Sequence, residues 1–432
     1  MRKTKTYTTD TPELFKEALL SWSQQFDEVV WLDSNQHTNS YSSFDAILAV
    51  DGLTALSTDD ANAFENLKEY QSQTKDWIFG YVSYDLKNDV EPLKSNNFDG
   101  LEFPELYFFQ PKKIIKIIKN QVHFIYLNMV FDAVESDFSE ISKCSLTRKK
   151  TPKKPHNVHI KMRIFKDEYF RQVEKMLDYI RKGDIYEANF CQEFYMEDSI
   201  IDPISIYKNL NEISQAPFAS YIKLFDKYVL SASPERYLKK IGTKIISQPI
   251  KGTASRSVDI KEDILLKTEL ETNQKERSEN IMIVDLVRND LSKSALKGSV
   301  TVEELCKVYS FDQVHQMIST ISSEISEDTN AVDVLKDTFP MGSMTGAPKI
   351  SAMKIIEKLE SFKRGVYSGA IGYFTPEADF DFNVVIRSII YNETKKYLSY
   401  AVGSAITEKS EPAKEYEECL LKAKAMRQVL EE

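Results

Sequence analysis

Short apolar runs separated by polar turns dominate the first 142 residues of the chain. They occupy positions 29–32, 46–50, 77–81 and 114–118, and each is four or five residues long. Runs of this length, bounded by Gly, Asn, Asp and Ser, are typical of β-strands, because helices usually need ten or more residues. The pattern predicts that residues 1–142 form an N-terminal region that contributes strands to large sheets.

Helical spacing appears later in the chain. Phe170, Val173 and Leu177 recur at intervals of three and four before Lys182-Gly183, which predicts an amphipathic helix. Helices mixed with many short strands, without a regular strand-helix-strand alternation, indicate an α+β fold built on large antiparallel sheets. Further helices are predicted at 258–291, 312–323, 330–337, 348–361 and 411–431, and strands at 221–224, 228–231, 369–374 and 384–391.

A basic segment separates these two parts of the chain. Residues 143–161 contain seven Lys or Arg, two prolines and little apolar periodicity. This composition is typical of a surface linker or a long loop. We therefore expect a linker at 143–161 and a second region, 162–432, that carries the chemistry.

The composition is that of a globular protein, with 432 residues, 42% hydrophobic and 28% charged. This length favours two or three lobes, or one unusually large sheet domain. The net charge of −10 argues against nucleic acid as a partner, because binding to phosphates needs a basic face. No stretch approaches about 18 apolar residues, so we expect a cytoplasmic protein that does not bind a membrane.

The four cysteines, Cys144, Cys191, Cys306 and Cys419, are far apart in sequence and have no CxxC spacing. We expect them to be reduced thiols. None lies in a Gly-x-Cys-x-Gly turn, which argues against a cysteine nucleophile of the glutaminase type.

Lys251 lies in Pro-Ile-Lys-Gly-Thr, residues 249–253, directly after an apolar run that favours a strand. A primary amine attacks carbon only when it is deprotonated, and partial burial disfavours its charged form. A solvated lysine at a strand end is the commoner outcome, because most lysines are exposed. The neighbouring residues alone leave both interpretations open.

Two pairs of glutamates have the helical i, i+3 spacing: Glu276 with Glu279, and Glu415 with Glu418. Each pair shares one helix face, so both pairs could converge on one hard divalent cation such as Mg²⁺, which prefers oxygen ligands. With 66 acidic residues in the chain, the same spacing also arises by chance on solvated helices. Few histidines are present, which argues against zinc.

A glycine-containing loop and an arginine are candidates for anion binding. Gly342 and Gly346 lie in a turn before a helix that is predicted to start near Pro348, where backbone N–H groups can point at an anion. The spacing is not that of a Walker loop, so ATP is not implied. Arg387 lies within an apolar strand and either pairs with a protein carboxylate or binds a substrate carboxylate.

Seven ordered motifs together resemble the chorismate-utilising enzymes, which include component I of aminodeoxychorismate synthase and of anthranilate synthase, and the isochorismate and salicylate synthases. The resemblance extends over residues 165–430, and it is weaker in VVWLDSN (29–35) and GYVSYDL (80–86). It implies two large antiparallel β-sheets that form a sandwich, with helices packed outside and the site between the lobes. The motifs are ASPE (232–235), PIKGT (249–253), ENIMIVDLVRNDL (279–291), FPMGSMTGAPK (339–349), RGVYSGAIGYF (364–374), FNVVIRS (382–388) and EYEECLLKAKA (415–425).

The resemblance also implies roles for individual residues. The two glutamate pairs would hold Mg²⁺, which binds the ring carboxylate of chorismate. Glu235 would lie near C4 as a general acid or base. The other implied substrate contacts are Tyr367, Arg387 and amides around Gly403 for the enolpyruvyl carboxylate, and Ser343 and Thr253 for the ring.

Lys251 distinguishes between the members of the family. The resemblance implies that PIKGT marks aminodeoxychorismate synthases, whereas the other members usually have alanine at the lysine position. Lys251 would attack C2 of chorismate as the C4 hydroxyl leaves, and ammonia would then add at C4 and expel the lysine. The product, 4-amino-4-deoxychorismate, leads to 4-aminobenzoate and folate, and a separate glutamine amidotransferase subunit or ammonium would supply the ammonia.

Three positions depart from the family pattern. Isochorismate-type enzymes have a lysine base where this chain has Glu187, which disfavours water as the nucleophile. The usual site histidine falls on Gln316, with His315 one position early, and the third glycine of a late loop is Ala405. The alternatives are anthranilate synthase component I, less favoured isochorismate or salicylate synthases, and a non-catalytic subunit that kept the fold.

Overall fold

The structure, a computed structural model, describes residues 1–37, 40–144, 159–311 and 314–431. Within these ranges the chain forms 20 strands and 11 α-helices. The strands are β1 (Arg2–Thr8), β2 (Glu28–Asp33), β3 (Ala46–Thr58), β4 (Ile78–Val82), β5 (Leu106–Ile118), β6 (Gln121–Leu127), β7 (Lys161–Met162), β8 (Glu187–Met196), β9 (Phe218–Leu224), β10 (Lys227–Ser233), β11 (Arg236–Ile241), β12 (Lys244–Gln248), β13 (Ile250–Ser255), β14 (Thr301–Ser310), β15 (Val314–Glu324), β16 (Gly346–Ala347), β17 (Ala370–Phe374), β18 (Phe380–Val384), β19 (Ser388–Asn392) and β20 (Tyr397–Thr407). The helices are α1 (Pro12–Trp22), α2 (Ala63–Thr74), α3 (Lys87–Val90), α4 (Val134–Cys144), α5 (Lys166–Arg181), α6 (Pro203–Ser214), α7 (Ile260–Thr272), α8 (Gln274–Ser292), α9 (Ala331–Thr338), α10 (Lys349–Leu359) and α11 (Pro412–Glu431).

Two long strands join the sheets into one antiparallel network. β3 and β5 pair along their whole length, and β5 also pairs with β4 through its first half and with β6 through its second half. One arm of the network therefore runs β1-β6-β5-β3-β2-β9-β10-β19-β20-β8, and the other runs β5-β4-β17-β18-β11-β12-β15. β13 and β14 flank β15 in the second arm.

The two arms pack face to face. One apolar cluster contains Ile222 and Val229 of the first arm together with Leu238 and Phe382 of the second. A second cluster covers the outer face of the first arm, where α1, α5, α6 and α11 pack on it. This arrangement confirms the predicted α+β fold with an antiparallel sandwich and helices outside.

Three predicted elements differ from the structure. The helix predicted at 258–291 is two helices, because Asn273 caps α8 with its side chain. The prediction of a helix at 312–323 is wrong: residues 314–324 form β15, which pairs with three strands. The strand predicted at 384–391 is interrupted at Arg387, which has a φ of +53° between β18 and β19.

The predicted linker falls largely outside the described residues, since 145–158 are not among them. On the N-terminal side, β2 pairs with β9 and β4 pairs with β17, so strands from 1–142 and from the later region share one network. The division into regions stays a prediction. No helix in the described ranges is long and apolar enough to cross a membrane. Cys191, Cys306 and Cys419 are buried free thiols, as expected.

Candidate active site

Lys251 lies within β13 rather than at the end of a strand. Gly252 follows it with a φ of +91°, a conformation that glycine adopts without strain. A side chain at 252 would also press on Glu276, since a Cβ there would lie 3.2 Å from the Glu276 Oε2 atom. The Lys-Gly pair therefore brings β13 close to α8.

The positive charge of Lys251 acts on carboxylates from four parts of the fold. Burial raises the pKa values of Glu187, Glu235, Glu276 and Glu279, and the charge of Lys251 opposes this rise; it also contributes to the lowered pKa of Glu418. No described carboxylate is close enough to form an ion pair with its ammonium, and no described residue accepts a hydrogen bond from it. Lys251 thus lies among acidic side chains and forms an ion pair with none of those described.

Glu235 lies in the turn between β10 and β11 and is 5% exposed. Burial raises its pKa to about 7, while Ser343 and Lys251 oppose this rise. The Ser343 hydroxyl is buried close to this carboxyl, yet it has no partner with normal hydrogen-bond geometry among the described residues. Both side chains line a small cavity of about 20 Å³. A carboxylic acid that is half protonated near neutral pH can act as either acid or base.

Tyr367, Arg387 and Gly403, which we call the cradle, lie close together. Burial lowers the pKa of Arg387, whereas Tyr367 and Glu418 act in the opposite direction, so both residues lie near the guanidinium. Gly403 lies in β20 opposite Cys191 of β8. Arg387 lines a cavity of about 190 Å³, and Thr253 and Gln316, which are opposite each other in β13 and β15, line it too.

Glu276, Glu279, Glu415 and Glu418, which we call the glutamate cluster, surround Lys275. Burial lowers the pKa of the Lys275 ammonium, but the four glutamates together outweigh this effect and raise the pKa above its ordinary value. The Lys275 Nζ atom lies 3.7 Å from Glu279 Oε1, and Glu415 accepts a hydrogen bond from Ser404. The two predicted pairs on α8 and α11 therefore do face each other.

The glutamate cluster is not arranged as a finished metal shell. Across 1–37, 40–144, 159–311 and 314–431, no three His, Cys, Asp or Glu side chains form a group that could hold a metal ion. The donor chemistry nevertheless fits a hard divalent cation, since all four side chains offer carboxylate oxygens. Burial raises the pKa of Glu279 to about 7 and also raises that of Glu276, with Glu418 adding to the latter. A bound dication would relieve this unfavourable concentration of negative charge.

The loop at 339–349 is fixed by two cations, the buried Arg364 and the half-buried Lys349. The Lys349 ammonium donates to Asp290, to the Thr338 carbonyl at the end of α9 and to the Pro340 carbonyl of the loop. Arg364 donates to Glu360, to the Met344 carbonyl at 2.7 Å and to the Asn189 carbonyl at 2.8 Å. These contacts hold Ser343 next to Glu235 and tie the loop to β8.

Two of the three departures from the family pattern can now be located. His315 is 1% exposed and points away from the cavity, because its ring contacts Ser310 at 2.9 Å and Asp263 at 3.1 Å. Gln316 lines the cavity instead. Ala405 of β20 pairs with Asn189 of β8. Its φ angle is not positive, so alanine causes no backbone strain there.

Sequence reasoning missed two lysines at this site. Lys422 donates to the Gly403 carbonyl at 2.9 Å and lies 2.6 Å from Glu418, so it connects the cradle with the glutamate cluster. Lys275 lies among the four glutamates. A signal existed for both, since Lys275 directly precedes Glu276 and Lys422 follows Glu418 by one helical turn.

Known proteins resemble this chain in fold and in sequence. The chain is 32% identical over 362 residues to aminodeoxychorismate synthase component 1 of Bacillus subtilis, covering 82% of this chain and 76% of that protein. A probable chloroplastic aminodeoxychorismate synthase of Oryza sativa subsp. japonica is 41% identical over 270 residues, which are 62% of this chain. The chain spans only 30% of the length of that rice protein.

The crystal structure of anthranilate synthase component I from Streptococcus pneumoniae TIGR4 superposes with a TM-score of 0.77 at 27% identity. The superposition covers 90% of this chain and 94% of that one. A family model described as chorismate binding enzyme matches residues 23–428. Because this match includes nearly all of the residues placed at the site, the chain belongs to the family of chorismate binding enzymes.

Proposed function

We propose that this protein is component I of an aminodeoxychorismate synthase, which aminates chorismate at C4. The observation that carries the proposal is the position of Lys251, which lies among five carboxylates and is paired with none of them in the described structure. A lysine held in this way is available to react. The names of the Bacillus subtilis and rice relatives support the same assignment.

The residues of the site suit both ends of chorismate, which is a dicarboxylate. Arg387 and Tyr367 would bind the enolpyruvyl carboxylate, and the Gly403 region would close the cradle around it. Glu276, Glu279, Glu415 and Glu418 would hold Mg²⁺ near the ring carboxylate. When bound, Mg²⁺ would offset negative charge near the reacting ring. Ser343 and Thr253 would contact the ring itself.

The chemistry would proceed in two substitutions. Lys251 attacks C2, the ring double bonds shift, and the C4 hydroxyl leaves as water with a proton from Glu235. Ammonia then adds at C4, and the reverse shift expels the lysine amine from C2. The pKa of Glu235 near 7 suits this role, because an effective general acid is still partly protonated at neutral pH.

Ammonia would be delivered by a glutamine amidotransferase subunit or taken from ammonium in solution. The product would serve the synthesis of 4-aminobenzoate and folate. The name of the Bacillus subtilis relative, component 1, supports an enzyme that works with a second component.

A product assay tests the proposal. The purified protein is incubated with chorismate, Mg²⁺ and ammonium, and the products are separated by chromatography. We expect 4-amino-4-deoxychorismate as the main product, and anthranilate or isochorismate as the main product would overturn the assignment. Lys251→Ala should lower amination by at least about a hundredfold, and Lys251→Arg should not restore it, because a guanidinium keeps the charge but is not a nucleophile.

The second candidate is anthranilate synthase component I. The superposition on the Streptococcus pneumoniae enzyme favours it. That activity would place ammonia at C2 and eliminate pyruvate, without a covalent lysine adduct. Release of pyruvate, together with full activity of Lys251→Ala, would decide for this alternative.

A further inference from the structure

Glu187 is a buried carboxylic acid that has no task in the proposed reaction. It is 2% exposed at the start of β8, and its Oε2 atom has no hydrogen-bond partner among the residues described. Burial of a carboxyl oxygen without a partner is unfavourable, because the lost hydration is not replaced. Such an atom indicates contact with a group that arrives or changes during function.

The glycine loop packs against the backbone of β8 at Glu187. A Cβ at Gly346 would lie 2.2 Å from the Glu187 carbonyl oxygen, so the glycine loop presses directly on this residue. Side chains alternate along a strand, which places Glu187 on the same face as Asn189 and Cys191. Cys191 on that face lies 3.9 Å from the Tyr367 hydroxyl. Glu187 therefore faces the same space as the cradle.

Lys251 is the charged group that acts on Glu187. Burial raises the pKa of Glu187, and the charge of Lys251 opposes that rise. Glu187 in turn contributes to the raised pKa of Glu279 on α8. The other charged side chains that share the field of Lys251 already have tasks: they are Glu235 for the leaving hydroxyl, and Glu276, Glu279 and Glu418 of the glutamate cluster.

We infer that Glu187 is the proton acceptor that frees the amine of Lys251 for attack. The inference rests on the proposed function, since it needs Lys251 as the nucleophile. The Glu187 carboxylate takes one proton from the Lys251 ammonium. The freed lone pair forms the N–C2 bond, the two ring double bonds shift, and the C4–O bond breaks. The oxygen leaves as water with the proton of Glu235.

The second substitution returns both protons. Ammonia forms a bond to C4, the double bonds shift back, and the C2–N bond breaks to release a neutral lysine amine. Glu187 gives its proton back to this amine, while the new C4 ammonium gives a proton to Glu235. Both acids regain their starting forms. The balanced reaction converts chorismate and ammonia to 4-amino-4-deoxychorismate and water.

Formation of the lysine adduct tests this role separately from ammonia. Wild-type protein, Glu187→Gln and Glu187→Asp are mixed with chorismate and Mg²⁺ without ammonium, and adduct formation is followed by intact-protein mass. We expect the glutamine variant to form the adduct at least about tenfold more slowly at pH 7, and the aspartate variant to recover part of the rate. The ratio of the glutamine variant rate to the wild-type rate should rise toward one as the pH increases from about 7 to 9, because base in the solvent then replaces the missing carboxylate.

Other outcomes would overturn the inference. A loss that is the same at every pH would mean that Glu187 only supports the fold. An unchanged adduct rate with a raised KM for ammonium would mean that Glu187 binds ammonium instead. If Glu187→Gln does not fold, the same ratio measured with Glu187→Ala decides. Failure of the wild type to make 4-amino-4-deoxychorismate would reject the proposed function, whereas correct product with a normal glutamine variant would reject only this inference.

Discussion

The Lys422 ammonium lies 2.6 Å from the Glu418 carboxylate, one turn earlier on α11, and also donates to the Gly403 carbonyl. Its charge lowers the pKa of Glu418, although burial alone would raise it. One side chain therefore links the glutamate cluster to the cradle. Its charge should attract the anionic substrate and disfavour a second cation.

Lys422→Met should change the affinities for substrate and metal in opposite directions. The KM for chorismate should rise about threefold to tenfold, because the cradle loses a positive charge. The Mg²⁺ concentration for half-maximal activity should fall, because Glu418 is released from its ion pair. Steady-state kinetics with each varied in turn measure both values. The matched control is Lys424→Met, which alters an exposed lysine of the same helix, and a parallel rise of both constants would contradict the model.

Glu235 gives a pH-dependent prediction. Its pKa of about 7 lies above the ordinary value for a glutamate because the side chain is buried. Only the protonated acid can donate to the C4 hydroxyl, so kcat/KM for chorismate should fall as the pH rises through about 7. Glu235→Gln should lose about a hundredfold to ten-thousandfold in rate and should no longer show this decline. A variant that keeps the wild-type pH profile would remove Glu235 from the proton transfer.

His315 and Gln316 are neighbours in β15 with different surroundings. His315 contacts Ser310 and Asp263, whereas Gln316 lines the cavity beside Thr253. His315→Ala should lower the free energy of unfolding by about 1–3 kcal/mol and leave kcat nearly unchanged. Gln316→Ala should instead raise the KM for chorismate with little change in stability. Thermal denaturation and steady-state kinetics on both variants check this division, and a large loss of kcat in His315→Ala would contradict it.

The sequence predicted the fold class because apolar periodicity reports which faces are buried. It misassigned residues 314–324, although the β-branched Ile318, Thr320 and Ile321 favour a strand. The apolar spacing there also fits a helix, and only the pairing with β12, β13 and β14 decides. Local pattern cannot contain the pairing with β12 and β13, because these two strands lie far away in sequence.

The candidate site was predicted residue by residue from ordered motifs. Lys275 and Lys422 were missed although they neighbour the glutamate pairs in sequence, because charged residues on helices are ordinarily solvated. The interruption of the predicted strand at Arg387 was also missed, because an arginine with positive φ between two apolar strands has no reliable sequence signal. The motifs predict the chemistry, whereas the contacts between distant segments show how the candidate residues are held together.

Replacement of Gly403 should weaken substrate binding for a steric reason. A Cβ there would lie 2.6 Å from the Cys191 Sγ atom and 2.7 Å from the Asn189 Oδ1 atom, both closer than real contacts allow. Gly403→Ala should therefore push β20 away from β8 and shift the cradle. The Gly403 carbonyl, which accepts a hydrogen bond from Lys422, would move with it. We expect the KM for chorismate to rise about tenfold or more, with a smaller effect on kcat.

Removal of the obstructing sulfur provides the control for this prediction. Cys191→Ala alone should have a small effect on the KM, because the thiol has no role in the proposed chemistry. The double variant Gly403→Ala, Cys191→Ala should regain a substantial part of the affinity, since the new methyl group can occupy the space of the lost sulfur. A double variant with additive losses would mean that the glycine is needed for backbone freedom, rather than for its fit against β8.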